Sequence, residues 1–374
     1  MQRREFLNTG MSAAAITLAG SAVAQAEQKE KDMPFKKIKI AQIGVRHEHA
    51  SGKIASLKML PEYYEILGVA PESPDLEKKY RDKGPYKGIP WMSQEELLNL
   101  PGLEAVAIET EMTELIPTAV KCAKRGLHLH VDKPLGQKLD ECREMLDVCR
   151  KYNVIMQPGY MFRSNQGIRL AVKAVQNGWL GEITGLEANM NRYDVSPSFR
   201  KWLATYRGGG MYDFGSHLVD FVVEMLGAPK QISVFEKPGG TDGLSDNTLS
   251  VLLYDKAIVQ LRVDERCPSA QRYLSVQGTK GRLELRPLEL WTRNAKTRKM
   301  EPLNVTLQLK EGNAEYKAGK HELKLQPFED RYVGQLIDLA QFIRGEKKNP
   351  YSYEHELLVQ KVILAASGYV PWKE

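Results

Sequence analysis

Ile38-Lys39-Ile40-Ala41-Gln42-Ile43-Gly44-Val45-Arg46-His47-Glu48-His49 is the stretch on which the fold turns: a short apolar run closes on a glycine, and a polar segment then opens helical periodicity. A strand buried on both faces reads as a near-continuous apolar run, and a glycine at its carboxyl end lets the chain turn tightly into a helix. Outward from this unit the alternation repeats. Apolar runs at 66–70, 105–108, 127–131 and 154–157 predict further strands, and segments at about 48–60, 75–82, 93–99, 113–125 and 138–151 predict helices between them. The result is a Rossmann-type α/β domain over 36–157, a doubly wound parallel sheet whose ligands belong at the carboxyl ends of its strands.

After Tyr160 the alternation stops, and strand-like segments from Ile183 to Leu309 follow one another through turns such as Gly278-Thr279-Lys280-Gly281. With helices expected around 166–177, 211–226, 329–344 and 354–367, this predicts an α+β domain over 158–374 built on a largely antiparallel open sheet. A cleft between the two domains is the expected site.

Composition supports two ordinary globular domains, with 42% hydrophobic and 27% charged residues in a chain of 374. The 53 basic residues are set against 47 acidic ones with no long basic run, which excludes a nucleic-acid stripe. Cys122, Cys142, Cys149 and Cys267 show neither metal-site spacing nor the density of a disulfide scaffold, and are expected to be buried thiols. Residues 1–26 combine Arg3-Arg4-Glu5-Phe6-Leu7, an apolar stretch from Met11 to Val23 and small residues at Ala24 and Ala26. They predict a removable export signal of the twin-arginine type, a periplasmic destination, and no lasting membrane anchor, since the apolar stretch is shorter than the ~20 residues a bilayer span needs. Residues 27–35 read as a polar linker.

The glycine-rich fingerprint of a dinucleotide loop survives here only in Gly44, because Arg46 and His49 stand at its second and third glycine positions. Helix N-terminal amides and the Arg46 guanidinium still favour a phosphate, so Gly44, Arg46 and His47 are the expected cofactor loop. Glu72, after the second strand, is placed to hold a ribose and would favour NAD, with NADP possible; a solvated loop glutamate is the alternative. Two constellations carry chemistry. Lys133, in Asp132-Lys133-Pro134, ends a strand of the first domain, where its ammonium could stabilise an oxyanion, although many strand-end lysines are only surface residues. Gly208-Gly209-Gly210 leads into a helix on which Asp213 and His217 share a face, so that a carboxylate could orient an imidazole acting as general base. A solvated polar face continuing through Asp220 and Glu224 is the alternative reading.

Taken together, Asp132-Lys133-Pro134, the Asp213 to His217 spacing, Gly278-Thr279-Lys280-Gly281 before a strand and the closing Tyr353-Glu354-His355-Glu356-Leu357 helix resemble the glucose-fructose oxidoreductase, inositol dehydrogenase and rhizopine-catabolism (Gfo/Idh/MocA) family over nearly all of the chain after the signal. The resemblance implies Lys133 and His217 as a catalytic pair and Asp213 helping to hold substrate. It also implies Tyr160 and Arg163 lining the cleft, Thr110, Asp132 and Pro134 beside the cofactor, a carbohydrate or cyclitol substrate, and a homo-oligomer, dimer or tetramer. The loop departs from the family pattern, and Thr110-Glu111-Met112-Thr113 lacks its common Thr-Pro pair.

The expected activity is NAD(P)-dependent oxidation of a sugar, glycoside or cyclitol hydroxyl. A second possibility is glycoside cleavage with a retained cofactor, through oxidation, elimination, hydration and reduction. A non-catalytic sugar-binding protein and a metal-dependent protein are further alternatives. The last is suggested by His47 and His49, by His128 and His130, and by Asp213 with His217, but spacing identifies no third ligand and no metal site is assigned.

Overall fold

The computed structural model describes residues 36–192, 195–240, 242–269, 271–289 and 300–373; the predicted export signal at 1–26 and linker at 27–35 lie outside the described residues. The first domain contains β1 (Ile38–Ile43), α1 (Ala50–Lys58), β2 (Tyr64–Ala70), α2 (Pro74–Tyr80), α3 (Gln94–Leu98), β3 (Ala105–Ile108), α4 (Leu115–Ala123), β4 (His128–Val131), α5 (Leu139–Lys151) and β5 (Met156–Pro158). Its sheet runs β2-β1-β3-β4-β5 with every pairing parallel. Every residue of β3 is buried, as a central strand covered on both faces requires. The strand order reverses between β1 and β3, so the carboxyl ends of those two strands open the crevice in which such sheets bind ligands. Gly44 makes the turn there at φ +92°, and a Cβ on it would come within 2.5 Å of the Thr110 nitrogen, so only glycine fits.

The second domain adds α6 (Gln166–Gln176), β6 (Ile183–Met190), α7 (Pro197–Leu203), α8 (Gly209–Asp213), α9 (Gly215–Leu226), β7 (Gln231–Glu236), β8 (Asn247–Leu253), β9 (Ile258–Asp264), β10 (Arg272–Gly278), β11 (Gly281–Leu285), β12 (Leu303–Leu309), β13 (Gly319–Leu325), α10 (Val333–Arg344) and α11 (Tyr353–Ala366). Its eight strands run β13-β12-β11-β10-β6-β9-β8-β7, antiparallel throughout except for the parallel pair β6 and β9. The sheet and the first domain are tied together by the last two helices. α11 packs on both α5 and α9, Gln360 bonds the backbone of Leu135 and Gly136, and the Tyr64 hydroxyl donates to the Leu336 carbonyl.

Three expectations are corrected. The helix predicted at 211–226 is interrupted at Phe214, because the Asp213 carbonyl accepts from Lys133 Nζ at 3.0 Å and Ser216 Oγ at 2.7 Å, and the His217 amide turns to the Phe214 carbonyl instead. Cys267, unlike the other three cysteines, is only half-buried, since it follows β9 in a loop. Asp220 is 1% exposed, so the solvated polar face does not exist at that position. No helix among the described residues is long and apolar enough to cross a membrane.

Candidate active site

A cavity of about 480 Å³ opens between the loop before α1, the end of β4, the start of α9 and the segment before α10. Lys133 and His217, predicted from separate stretches of sequence, both line it. Lys133 is buried, and its ammonium is held by the Asp213 carboxylate as well as the Asp213 carbonyl. The Phe214 ring lies 5.9 Å from Nζ. A lysine fixed in this way points a charge at the cavity without spending side-chain entropy each time a ligand arrives.

Asp213 therefore serves Lys133 and not His217, which corrects the expected carboxylate–imidazole pair; the interruption at Phe214 breaks the helical relation on which that expectation rested. His217 is packed instead against the edges of Phe162 and Tyr160, at ring distances of 5.5 and 6.1 Å. Burial, followed by the neighbouring charge of Lys133, holds its pKa well below the ordinary histidine value, so the ring is neutral at neutral pH. Its Nδ1 has no hydrogen-bond partner among the described residues. That nitrogen is buried, and it is as a neutral imidazole on the cavity wall that His217 can accept a proton.

Arg163 does not line the cavity. Its guanidinium is enclosed by Asp220 (Nη2–Oδ1 2.6 Å) and Glu356 (Nη1–Oε1 2.6 Å), so it ties α9 to α11 rather than binding substrate. Tyr160, 1% exposed, is also absent from the wall and packs behind it against His217. Two residues that sequence reasoning missed, Arg192 and Arg272, do line the cavity. They stand at neighbouring ends of β6 and β10, where Arg272 pairs with Met190, and only the strand register brings them together.

On the first-domain side, Glu72 accepts from the backbone N–H groups of Val45 (3.0 Å) and Arg46 (3.2 Å), closing the turn after Gly44. Arg46 is exposed and 4.0 Å from Glu111, and Thr110 lies two residues beyond the neighbouring strand β3. Gly44, Arg46 and Thr110 thus stand at the crevice where such sheets bind a dinucleotide, whereas both Glu72 oxygens are taken up by the loop's own amides, which corrects the ribose contact expected of it. The loop then departs from a bare phosphate cradle. His47 and His49 turn inward to Asp132, with His49 Nδ1 3.1 Å and His47 Nδ1 3.4 Å from Oδ2. Burial works against a charged Asp132, but its neighbours, His49 and Lys53 among them, outweigh it and hold the carboxyl well below its ordinary value. Burial pushes His47 down to about 4, so that ring is neutral. Of the other expected histidine pair, His130 bonds Gln157 at 2.9 Å and His128 accepts from the Ile155 amide, so neither faces the cavity.

Beneath the glycines before α9, Gly210 leaves room for Glu265, whose Oε1 would lie 2.1 Å from a Cβ there. Burial, reinforced by Asp213, pushes the Glu265 carboxyl up from 4.5 to about 8. The folded protein thus holds a proton that the unfolded chain releases, and this stabilisation is complete below pH 4.5 and is lost as pH rises to about 8. Glu265→Gln is expected to remove that loss. Urea unfolding should show the variant gaining roughly 2–4 kcal/mol on the wild type between pH 5 and pH 8.5, at ~1.4 kcal/mol for each unit of pKa difference; parallel pH profiles for the two proteins would refute the assignment.

Comparison with known proteins now bears on this geometry. An oxidoreductase family, NAD-binding Rossmann fold, matches residues 24–160, and the GFO/IDH/MocA C-terminal domain matches residues 168–284, together more than half of the chain. The chain belongs to the Gfo/Idh/MocA family. Its first domain is the NAD-binding Rossmann domain of that oxidoreductase family, and the following segment matches the family's C-terminal domain. It is 23% identical to the 2,7-anhydro-N-acetylneuraminate hydratase of Mediterraneibacter gnavus over 192 residues, 49% of this chain and 51% of that protein. It is 25% identical to the scyllo-inositol 2-dehydrogenase (NADP(+)) IolW of Bacillus subtilis over 141 residues, 37% of this chain and 39% of that one. The chain spans about half the length of the first curated relatives it matches. Among solved structures, KijD10, a 3-ketoreductase from Actinomadura kijaniata in complex with NADP and TDP-benzene, superposes with a TM-score of 0.71 at 17% identity, covering 88% of this chain and 97% of that one. At that identity the likeness is one of fold.

Proposed function

We propose that this Gfo/Idh/MocA protein oxidises or reduces a CH–OH centre of a sugar, glycoside or cyclitol. The observation that carries this reading is the convergence of the Asp213-held Lys133 ammonium and the neutral His217 imidazole on one cavity. Gly44, Arg46 and Thr110 would hold the dinucleotide, on a turn that Glu72 braces and with Pro134 beside it, and the nicotinamide when bound supplies the hydride acceptor or donor. His217 takes the hydroxyl proton, and Lys133 stabilises the negative charge that develops on the oxygen. Arg192 and Arg272 offer hydrogen bonds to the other oxygens of a polyhydroxylated substrate. The dehydrogenase and ketoreductase names of the relatives support the same chemistry.

In the same proposal the signal at 1–26 exports the folded protein to the periplasm, the cofactor is retained, and the open sheet pairs with a second copy. The outer face of β7, β8 and β9, where Phe235 is 59% and Ile258 55% exposed, offers an apolar surface for that pairing. Native mass spectrometry of the protein exported in its host is expected to show two or four chains, each carrying one NAD or NADP. If neither nucleotide is present and neither binds when added, the oxidoreductase reading falls.

A second reading, glycoside cleavage with return of the hydride to the product, draws support from the hydratase name of the M. gnavus relative. Release of aryl alcohol from synthetic aryl glycosides without net nucleotide reduction would favour cleavage over net oxidation.

A further inference from the structure

We propose that His47, His49 and Asp132 form a binding site for a divalent first-row transition-metal ion at the edge of the cavity, with Glu109 beside it. The proposal is independent of the hydride chemistry above and uses groups to which that chemistry gives no role beyond the cofactor loop. The ligand atoms that the three side chains offer lie within 4.8 Å of one another, close enough for small rotamer adjustments to bring them onto one ion. They come from two elements 83 residues apart, the loop after β1 and the end of β4.

Hydrogen bonding satisfies His49, whose Nδ1 meets Asp132 and whose Nε2 lies 3.4 Å from Glu48, but it leaves His47 unsatisfied. His47 Nδ1 faces both the His49 amide, a donor at 3.3 Å, and Asp132, an acceptor at 3.4 Å, while its buried Nε2 has no partner among the described residues. If Nδ1 accepts from the amide, the proton on Nε2 has nowhere to go; if Nδ1 carries the proton, Nε2 presents a bare lone pair to a buried space. An ion satisfies a neutral imidazole that no tautomer satisfies otherwise.

Glu109 supplies the second observation. The β3–β4 register pairs Ile108 with Val131, so Glu109 and Asp132 are the next residues on neighbouring strands and are both fully buried. Neither Glu109 oxygen has a hydrogen-bond partner among the described residues. Burial and the neighbouring Asp132 keep the Glu109 carboxyl protonated, so its two oxygens add a neutral, unsatisfied polar group beside the cluster.

The donor set indicates the kind of ion. Two imidazoles and a carboxylate suit zinc, manganese, iron, cobalt or nickel, and not calcium or magnesium, which take oxygen ligands. The Lys133 amide donates to Asp132 Oδ1 at 2.7 Å, orienting the carboxylate from behind as outer hydrogen bonds do at metal sites. His49 lines the cavity, so the remaining coordination positions would open toward a water or a substrate oxygen.

The test uses the full chain, stripped with a chelator, dialysed and titrated with cobalt(II) chloride. One equivalent per chain is expected to bind, with visible ligand-field absorption and a rise in thermal midpoint, and zinc(II) should displace it. His49→Ala and Asp132→Asn should each weaken cobalt binding by at least ~10-fold, whereas His321→Ala, at a half-buried histidine on β13 outside the cluster, should leave it unchanged. Metal analysis of the untreated wild type should find a near-stoichiometric transition ion, a readout that needs no variant to fold. Absence of stoichiometric cobalt or zinc binding in the wild type, or unchanged binding in both folded ligand variants, overturns the site. NAD(P) binding measured on the same samples separates that failure from failure of the oxidoreductase reading.

Discussion

Lys133→Met should lower kcat/KM on a hydroxylated substrate by ~10²–10⁴-fold, the range expected when a positioned charge is removed from beside a developing oxyanion. Removing the ammonium also strands the Asp213 carboxylate in a buried site, so the single variant should be less stable by about 3–5 kcal/mol. The double variant Lys133→Met/Asp213→Asn distinguishes the two effects. It removes the charge from both partners and should recover most of the stability while recovering none of the activity. Recovery of turnover together with stability would reduce Lys133 to a structural residue. His217→Asn should lose activity in a similar range, and the wild-type pH profile carries its signature. Because burial and Lys133 depress the imidazole pKa, the acid limb of kcat/KM attributable to His217 belongs below pH 6.5, with no loss between there and neutrality. Both variants are checked by steady-state kinetics across pH on protein shown to be folded by circular dichroism.

How much of this was legible in the sequence depends on whether the cause was local. β3 has the predicted bounds because a strand covered on both faces must be apolar at nearly every position, a property written in consecutive residues, and β1 shows it in all but Lys39 and Gln42. Gly44 was legible for the same reason, since a positive φ against Thr110 admits one residue type. The helix break at Phe214 was not, because its cause is Lys133, 80 residues earlier, competing for the Asp213 carbonyl. The same contact explains why helical spacing misassigned the partner of Asp213. Arg192 and Arg272 escaped notice because only the β6–β10 register places them on one wall. Asp132, expected beside the cofactor, is the third member of the histidine cluster, and nothing in the spacing of His47 and His49 points to a residue so far along the chain. Lys133 and His217 were singled out from their positions at a strand end and a glycine-led helix, and family resemblance named them as a pair; their meeting in one cavity is a property of the fold.

Arg163→Met is expected to cause the largest stability loss at a site with no direct chemical role. The guanidinium is the positive centre between Asp220 and Glu356, all three nearly inaccessible to solvent, with side-chain exposures of 6%, 2% and 1%. Burial penalises the ion, yet the two carboxylates outweigh it and hold the Arg163 pKa well above its ordinary value. Removing one member leaves uncompensated buried charge, which costs about 3–5 kcal/mol where such pairs have been broken. The affected helices connect this loss to function. Asp220 lies on α9 three residues after His217, and Glu356 lies on α11, which packs against α5 of the first domain, so the triad fixes the imidazole relative to the Rossmann sheet. Urea denaturation should show the single variant shifted to lower midpoint. The triple variant Arg163→Met/Asp220→Asn/Glu356→Gln should regain most of the loss, because no buried charge then stands alone. If Arg163 works only through packing, the triple variant should keep kcat/KM within ~10-fold of wild type when assayed well below its unfolding temperature, since small displacements at a reacting centre cost less than the loss of a catalytic group. A stable triple variant whose KM rises steeply with kcat unchanged would return Arg163 to the substrate-binding role that the resemblance implied.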